Sequence, residues 1–359
     1  MRKLICVFLS LLLLPLAALA EGIDLSTEQG NLEWVNKKLP YARTPENFDI
    51  VPYDELPPVI EGQHHYLLLC LDHWDINPRP DDAKNPSANG KHKDNWGNTD
   101  GMVLLTLDTR AHRIMLTSII RDAVARKIDY PDDNQRFTRM TYVYNDLGPE
   151  GLCETISRHI GVKIEKYILF TFNQIASIVD YMGGVEVELD GDEIDYLRRY
   201  AVPPGSVKDM NGLDLRSGSL HRPGMYHFNG HSAVLYMRIR KSSGHGDFAR
   251  TGRVREALSA LADKCRLMTM DDAKALANNV LDHSNKTNMS LEEIIQAAEY
   301  AYSLRDCTIE EFRIPPDDAV RAIQFAEMDV QEINWAYIRV LMDDYLQNSY
   351  LVLDDDDDF

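Results

Sequence analysis

The sequence is poor in positive charge and in long apolar runs. Its 38 lysines and arginines face 57 aspartates and glutamates, which gives a formal net charge of −19. Such a chain repels the phosphate backbone of nucleic acids, so we expect no nucleic-acid partner. After residue 20, no apolar stretch reaches the length that a membrane-spanning helix needs. The bulk of the chain is therefore predicted to be a soluble domain.

Cysteine is also scarce, with 5 residues among 359, which is too few for a disulfide scaffold. Stability must come from an apolar core, which a chain of this length readily supplies. We expect buried free thiols, with a Cys265–Cys307 disulfide as the alternative. Four histidines early in the chain match no spacing of structural zinc sites, so we expect surface histidines. They are His64, His65, His73 and His92.

The first 20 residues carry the pattern of an export signal. Arg2 and Lys3 precede an uncharged apolar run from residue 4 to residue 20, which closes on Ala18-Leu19-Ala20. The pattern predicts a signal peptide, or a signal anchor if the run is not cleaved and spans the bilayer. Residues 21–61 contain five prolines and are predicted to be an irregular extracytoplasmic approach segment.

Against this acidic background, residues 238–255 hold six cations and one acid. Like charges at helical spacing repel one another unless they share an anion. Arginine presents a fork of donors that matches phosphate oxygens, and each such bond contributes about 1.5–3 kcal/mol. The cluster predicts a phosphate or diphosphate site; the alternative is a solvated basic face with weak surface ion pairs. Its cations are Arg238, Arg240, Lys241, Arg250, Arg253 and Arg255.

The local sequence also predicts how this cluster is presented. Gly244 and Gly246 indicate a loop that runs into a helix, with Asp247 near the N-cap. Arg250 and Arg253, three residues apart, would then share one face of the first two turns. Free backbone N–H groups and the helix dipole favour an anion there.

Apolar runs alternate with helical patterns in the middle of the chain, and strands with near-continuous apolar runs are covered on both faces. We predict an α/β fold, a three-layer α/β/α sandwich with a central mixed sheet. Residues 62–267 would form this domain, and residues 268–359 a C-terminal helical extension whose acidic end is a solvated tail. The predicted strands are residues 65–71, 101–107, 113–120, 167–172 and 185–189, and the predicted helices include residues 148–159 and 174–181.

The second and third predicted strands are joined by five residues and are expected to form a hairpin. The start of one strand then lies beside the end of the other, so Asp100 and Arg121 share one end of the sheet, with Asp122 beside them. Asp72 joins them if its strand runs parallel to the third. Two carboxylates that face a diphosphate form an incomplete oxygen cage, which magnesium completes with phosphate oxygens and water. The alternative is that Asp72 and Asp100 cap turns at strand ends.

Motifs occur in one unbroken order between about residues 62 and 265. They are a Leu-rich strand ending at Asp72, then Asn98–Leu105, Leu116–Asp122, Gly183–Val187, Tyr236–Arg240 and Asp247–Arg253. This order resembles that of the LytR–CpsA–Psr family of bacterial cell-wall proteins. The order as a whole is far more specific than any one of the motifs.

The resemblance implies an extracytoplasmic phosphotransferase that moves a glycopolymer from a polyprenyl diphosphate carrier to a peptidoglycan acceptor at the membrane surface. The protein would be secreted or anchored to the bacterial cytoplasmic membrane by its N-terminal segment. The family domain is an α/β/α sandwich whose cavity takes the prenyl chain. Aspartates that match Asp72 and Asp100 help to bind magnesium in the family. The residues expected to hold the diphosphate are Arg121, Arg238, Arg240, Arg250 and Arg253, with Asp247 beside them.

Catalysis of phosphoryl transfer depends on positioning and charge neutralisation more than on covalent chemistry by the protein. Arg121, with the other arginines and magnesium, would stabilise the charge that develops on the diphosphate. Either Asp100 or Asp122 would accept the proton of the attacking sugar hydroxyl. These three are the expected catalytic residues.

The chain departs from the family pattern at three positions. Asn98 stands where the family usually has arginine, Val254 where it has glutamine, and Cys70 where it has glycine. Losing a phosphate-binding arginine and a polar group predicts weakened transfer or a shifted substrate. Two alternatives therefore stay open, a pyrophosphatase that acts on the carrier and a non-catalytic polyprenyl-phosphate-binding member of the same fold.

Overall fold

The computed structural model describes residues 50–72, 98–128, 137–198, 206–215, 220–239, 246–283, 286–325 and 328–347. The predicted export signal, most of the approach segment and the acidic tail lie outside these ranges. Within them, no helix combines the length and the hydropathy that a bilayer crossing requires.

Eight helices and fourteen strands make up this part of the chain. The helices are α1 (Met140–Ile160), α2 (Phe172–Tyr181), α3 (Gly191–Leu197), α4 (Gly230–Met237), α5 (Gly246–Cys265), α6 (Met270–His283), α7 (Leu291–Ser303) and α8 (Trp335–Gln347). The strands are β1 (Gln63–Leu71), β2 (Thr99–Asp108), β3 (Arg113–Ile119), β4 (Val124–Arg126), β5 (Phe137–Arg139), β6 (Lys166–Phe170), β7 (Val185–Leu189), β8 (Val207–Asp209), β9 (Asp214–Leu215), β10 (Gly224–Phe228), β11 (Lys286–Thr287), β12 (Ile309–Ile314), β13 (Val320–Phe325) and β14 (Met328–Ile333).

The central sheet has six strands in the order β11-β6-β1-β2-β3-β12. β2 is antiparallel to both β1 and β3, which confirms the predicted hairpin and makes β1 and β3 parallel to each other. β1 and β6 are parallel, and so are β3 and β12. The sheet is therefore mixed, as predicted.

Both faces of this sheet are covered, which confirms the predicted three-layer arrangement. Alternate residues of β1 point to opposite faces because side chains alternate along a strand. Leu67, Leu69 and Leu71 pack into one core together with residues of α1 and α8. Tyr66 and Leu68 pack on the other face against residues of α6 and α7.

The first helix is longer than predicted. The sequence predicts a helix from residue 148, whereas α1 begins at Met140. Gly148 has φ 73° and ψ −177°, so two helical segments meet at a kink before Pro149. Glycine next to proline normally marks a helix boundary, which is why the sequence pattern reveals only the second segment.

A second, four-stranded sheet, in the order β7-β10-β8-β9, packs beside the sandwich. Its core includes Val187, Phe228 and Tyr236. Helix α5 lies between the two sheets: Ala260 and Leu261 pack into this second core, whereas Arg255 bonds to Ser118 of β3. One helix thus connects the two halves of the molecule.

The residues after 267 differ from the predicted helical extension because they also supply strands. β12 is an edge strand of the central sheet, paired with β3 from Ile309↔Ile114 to Ile314↔Ile119. β13 and β14 form a hairpin, and Trp335 and Ile338 of α8 lie in the main core. This region therefore completes the sandwich. The four cysteines of the described ranges are free thiols, as expected.

Candidate functional site

The candidate site lies at the edge of the central sheet where β1, β3, β6 and β12 end and β2 begins. Leu71 pairs with Thr99, and Asp72 N donates to the Asn98 carbonyl at 2.9 Å. Ligands of open α/β sheets bind in crevices outside the carboxyl ends of strands. This edge gathers the acidic and basic residues that the sequence predicts to share one end of the sheet.

Asp100 stands at the centre of the charged groups. It is the second residue of β2 rather than a residue before the strand. Its Oδ1 forms an ion pair with Arg121, which follows β3, and its Oδ2 lies 3.7 Å from Nη1 of Arg250 on α5. The Arg250 side chain is only 4% exposed. Three distant segments of the chain therefore converge on one carboxylate.

A small pocket of about 50 Å³ lies beside this group. Asp100, Arg238 and Arg250 are its charged lining residues, and the rest of its lining is largely apolar, including Phe172 and Val254. Arg238 follows α4, and its guanidinium carbon lies 4.3 Å from the centroid of the Phe172 ring. An aromatic face at this distance holds a guanidinium in place by a cation–π interaction. We call this the charged pocket.

An apolar cavity of about 420 Å³ adjoins the charged pocket. It lies between the central sheet and the helices α2, α5, α6 and α7. Val103 and Leu105 line it from β2, and Ala257 and Leu261 line it from α5. A pocket with two arginines beside an apolar cavity would suit an amphiphile with a phosphorylated head group and one hydrocarbon tail.

Asp72 follows β1 and is hydrogen-bonded by Asn98, one of the three residues that depart from the family pattern. Asn98 donates to it twice, from N to Oδ1 at 2.9 Å and from Nδ2 to Oδ2 at 3.4 Å. Asn145 Nδ2 of α1 donates to Asn98 Oδ1 at 2.7 Å, which fixes the orientation of the amide. Asn98 therefore orients the Asp72 carboxylate instead of presenting a cation.

These contacts bear on whether magnesium fits here. Asp72 and Asp100 supply hard carboxylate oxygens from neighbouring strand ends, which is the donor chemistry that magnesium prefers. In the part of the chain that the structure describes, no three His, Cys, Asp or Glu side chains are grouped to hold a metal by themselves. The donor set fits an ion that takes its remaining oxygens from phosphate and water.

Asp122 lies on the other side of Arg121, at the rim of the site. Its Oδ1 is 3.8 Å from Arg121 Nε and 3.5 Å from Arg139 Nη1. Arg139 Nη2 also donates to the Asp329 carbonyl at 2.6 Å, and Gln331 N donates to the Asp122 carbonyl at 2.9 Å. The β13–β14 hairpin therefore supports Asp122.

Arg139 is a site residue that sequence reasoning missed. It stands directly before α1, nine residues ahead of the predicted helix start, in a stretch without a recognised motif. A cation at a helix start next to a strand-end aspartate is a weak sequence signal. Only the packing of β4, β5 and the β13–β14 hairpin brings it to the site.

The basic cluster divides into two groups. Arg238 and Arg250 line the charged pocket, whereas Arg253 and Arg255 bond to other parts of the protein. Arg253 Nε lies 2.5 Å from Glu193 Oε1 of α3, and its Nη1 donates to the Ile239 carbonyl at 3.0 Å. Arg255 Nε lies 2.9 Å from Glu311 Oε2.

Arg250 and Arg253 point to different neighbours because α5 runs between two sheets. Arg250 reaches the central sheet at Asp100, and Arg253 reaches α3 beside the second sheet. Arg240 lies outside the described residues. Asp247 falls in the first turn of α5, one residue after the helix start, and its side chain lies outside the description. The roles predicted for these residues in diphosphate binding stay predictions.

The three departures from the family pattern also have defined positions. Cys70 and Val254 both line the charged pocket and the apolar cavity. Burial raises the pKa of the Cys70 thiol; Asp100 raises it further, and Arg250 and Arg238 lower it. The thiol is therefore a neutral group at neutral pH.

Two histidines of the early cluster lie in the described residues, and the expectation of surface histidines is wrong for His65, which is buried. His65 Nδ1 lies 2.9 Å from Thr106 Oγ1, and burial lowers the pKa of His65 to about 4. His64 stacks on the Tyr300 ring at 3.9 Å. His73 and His92 lie outside the described residues.

Curated proteins with similar sequences include transferases named for teichoic acid and peptidoglycan. The polyisoprenyl-teichoic acid–peptidoglycan teichoic acid transferase TagV of Bacillus subtilis (strain 168) is 25% identical over 168 residues, 47% of this chain and 39% of that protein. TagU, a transferase of the same name from Halalkalibacterium halodurans, is 23% identical over 55% of this chain and 57% of that protein. Biofilm regulatory protein A of Streptococcus mutans is 25% identical over 47% of this chain and 39% of that protein. The chain thus spans less than two thirds of the length of these relatives.

Solved structures show the same fold. The B. subtilis TagV crystal structure matches with a TM-score of 0.56 at 18% identity, over 81% of this chain and 100% of that one. The YwtF (TagT) protein with bound octaprenyl pyrophosphate lipid matches with a TM-score of 0.54 at 18% identity, over 86% of this chain and 98% of that one. A sequence model of the LytR_cpsA_psr family matches residues 80–337, more than half of the chain. The protein therefore belongs to the LytR_cpsA_psr family.

Proposed function

We propose that the protein is an extracytoplasmic phosphotransferase that moves a glycopolymer from a polyprenyl diphosphate carrier to peptidoglycan. The observation that supports it most directly is that the charged pocket, with Asp100, Arg238 and Arg250 in its lining, adjoins an apolar cavity of about 420 Å³. The names of the TagV and TagU relatives, and the lipid bound in the TagT structure, support the same class of donor.

In this proposal the diphosphate lies among the guanidinium groups and the prenyl chain occupies the apolar cavity. Arg238 and Arg250 supply donors that form charge-assisted bonds to phosphate oxygens. Arg121, bonded to Asp100, supplies a third cation at the sheet edge. Arg240 and Asp247, predicted from the sequence, would complete the head-group site.

The chemistry rests on positioned charge. As the bond to the leaving phosphate breaks, negative charge grows on phosphate oxygens, and fixed guanidinium groups stabilise it in a site with little water. Asp72 and Asp100 would hold magnesium, which would neutralise further charge on the diphosphate when bound. Asn98 keeps the Asp72 carboxylate oriented for that role.

We assign proton acceptance from the attacking sugar hydroxyl to Asp122. It lies near a different nitrogen of Arg121 from the one that pairs with Asp100, the aspartate assigned to magnesium. Arg139 and the β13–β14 hairpin would keep its carboxylate at the rim, where an acceptor sugar approaches from solvent.

The test is a transfer assay with purified protein, a polyprenyl diphosphate-linked glycan labelled in its sugar, peptidoglycan and magnesium. Label that becomes covalently attached to peptidoglycan through a phosphodiester supports the proposal. Release of a soluble glycan phosphate instead identifies a pyrophosphatase, in which water is the nucleophile. Binding of the carrier without turnover identifies a non-catalytic member of the family and overturns the proposed reaction.

A further inference from the structure

Two side-chain amides link Asp72 to helix α1. Asn98 Nδ2 donates to Asp72 Oδ2 at 3.4 Å, and Asn145 Nδ2 donates to Asn98 Oδ1 at 2.7 Å. The backbone N of Asn98 also donates to Asp72 Oδ1 at 2.9 Å. We call Asp72, Asn98 and Asn145 the amide relay. The relay connects a proposed magnesium ligand to a residue of α1.

The relay has only one consistent direction. An ionised carboxylate accepts hydrogen bonds and cannot donate them, so Asp72 requires the Nδ2 end of the Asn98 amide. The Oδ1 end of Asn98 then faces Asn145, which must present its own Nδ2. Turning either amide by half a turn would place two acceptors against each other. The donor on Asn145 therefore decides which end of Asn98 meets the carboxylate.

Helix α1 holds Asn145 against the strand ends that carry the site. Thr141 and Asn145 are four residues apart, so they lie on the same face of the helix. Thr141 Oγ1 donates to the Thr99 carbonyl at 2.8 Å, so this face bonds to both Asn98 and Thr99. Thr141 N also donates to the Arg121 carbonyl at 3.0 Å. These bonds fix the position from which Asn145 acts.

Stability alone does not explain the amide of Asn145. Its Oδ1 is buried, and no donor among the residues that the structure describes reaches it. A buried acceptor without a donor costs at least as much stability as one hydrogen bond contributes. The single bond from Nδ2 therefore adds little to the stability of the fold. A role in orienting Asn98 accounts for a residue with this balance.

We propose that Asn145 is a positioning residue of the magnesium site, which acts through Asn98 on the Asp72 carboxylate. Partners that orient a metal-binding carboxylate typically change metal affinity by about 10–100-fold when they are removed. In this chain the amide relay takes the place of the arginine that the family usually has at residue 98. The inference rests on the proposed function, since it assumes that Asp72 binds magnesium, and it adds Asn145, which no motif of the sequence indicated.

The experiment measures farnesyl diphosphate binding to the full chain by titration calorimetry, once with magnesium and once with a chelator. The ratio of the two affinities is the magnesium factor, which should be at least about tenfold in the wild type. It should fall to about one in Asp72→Asn, because a metal ligand is lost. In Asn145→Leu it should fall by about tenfold, towards the value in Asp72→Asn.

Binding without magnesium separates positioning from a structural role. Asn145→Leu should leave this affinity unchanged, because Asn145 acts on the metal ligand alone. An equal loss of affinity with and without magnesium would show a structural role and contradict the inference. Asn278→Leu is the matched control, because Asn278 is exposed on α6 and donates only to the Lys274 carbonyl at 2.9 Å. It should change neither affinity.

A double variant tests the route through Asn98. Asn98→Ala should lower the magnesium factor, and Asn98→Ala/Asn145→Leu should lower it no further. Thermal unfolding checks that each variant is folded, and Asn145→Ala replaces the leucine variant if that one does not fold.

The outcomes separate the inference from the proposed function. If the magnesium factor of Asn145→Leu equals that of the wild type, or if the two substitutions are additive, the inference is wrong and the proposed function is untouched. If magnesium does not strengthen binding to the wild type, the magnesium site fails and the inference fails with it. If farnesyl diphosphate does not bind at all, the proposed function fails as well.

Discussion

Arg121 joins the two aspartates that flank it at the sheet edge. Its Nη1 pairs with Asp100, and its Nε lies 3.8 Å from Asp122. All three side chains are between 11% and 16% exposed, so their charges are only partly screened by solvent. A single guanidinium therefore orders both carboxylates, and it also stands where charge would develop on a diphosphate.

We predict that Arg121→Ala lowers turnover of a polyprenyl diphosphate substrate by about 100-fold or more, because a preorganised donor is lost. The fold should survive, since Arg250 still faces Asp100. Turnover and the thermal unfolding midpoint are measured together. Arg198→Ala is the control, because Arg198 forms an exposed pair with Asp195 and should change neither. Full activity in a folded Arg121→Ala protein would remove Arg121 from the site.

Sequence patterns predicted this group of charges but not all of its partners. Asp100 and Arg121 were predictable because a short hairpin fixes which strand ends meet. The partner of Arg253 was not, because Glu193 lies 60 residues away on a helix whose packing no local pattern reports. Arg139 was missed for the same reason. Tertiary contacts, and not local propensities, decide which carboxylate a long cationic side chain pairs with.

Helix α5 is the element on which the site depends most. It carries Arg250 and Val254 to the charged pocket, and its Arg253 pairs with Glu193 of α3. The Arg253 and Glu193 side chains are 6% and 8% exposed. Removing one partner from a buried pair leaves an uncompensated charge, so this pair is a structural requirement for the site.

We predict that Arg253→Met lowers the free energy of unfolding by about 3 kcal/mol, because Glu193 is then buried without its partner. The double variant Glu193→Gln/Arg253→Met should recover much of this loss. Urea unfolding of the two single variants and the double variant gives the coupling free energy. If Arg253→Met abolishes lipid binding with no loss of stability, Arg253 acts on the diphosphate directly.

Strand β12 is an element that the sequence pattern did not predict. The predicted strands were apolar runs, whereas β12 carries Glu310 and Glu311 in its middle. These glutamates are tolerated because Arg113 and Arg255 pair with them, from 197 and 56 residues away. A local pattern contains neither partner, so the strand was not predicted.

We predict that a chain ending at residue 303 loses cooperative unfolding, because it lacks β12 and the buried residues of α8, among them Trp335 and Ile338. A chain ending at residue 347 should unfold like the full-length protein, since it keeps β12 and all of α8. Circular dichroism during heating distinguishes the two. A cooperative transition in the shorter chain would show that the sandwich forms without its last strand.

At the scale of the whole molecule, two histidines, His65 and His159, are buried in the folded protein. Burial lowers the pKa of His65 to about 4 and that of His159 to about 3. Both values lie below the ordinary value of 6.5, so the folded protein holds these rings neutral where an unfolded chain would protonate them. Between about pH 3 and pH 6.5, protons therefore bind preferentially to the unfolded state.

We predict that protonation of these two histidines leaves the free energy of unfolding unchanged above about pH 6.5 and lowers it as the pH drops from there to about 3. His65→Gln should reduce the size of this fall. Urea unfolding at pH 7 and pH 4.5 measures it, with His221→Gln as a control because that side chain is exposed. An unchanged fall in His65→Gln would assign the pH dependence to other groups.

The pairing of β12 with β3 has a consequence for biosynthesis. Ile309 meets Ile114, so strands separated by almost 200 positions along the chain must find each other before the sheet edge is complete. Contacts of such long sequence separation form slowly, after the intervening loop has been closed. A ribosome-bound nascent polypeptide therefore cannot finish this edge until its final segments have been translated, and the sheet is completed late in the maturation of each molecule.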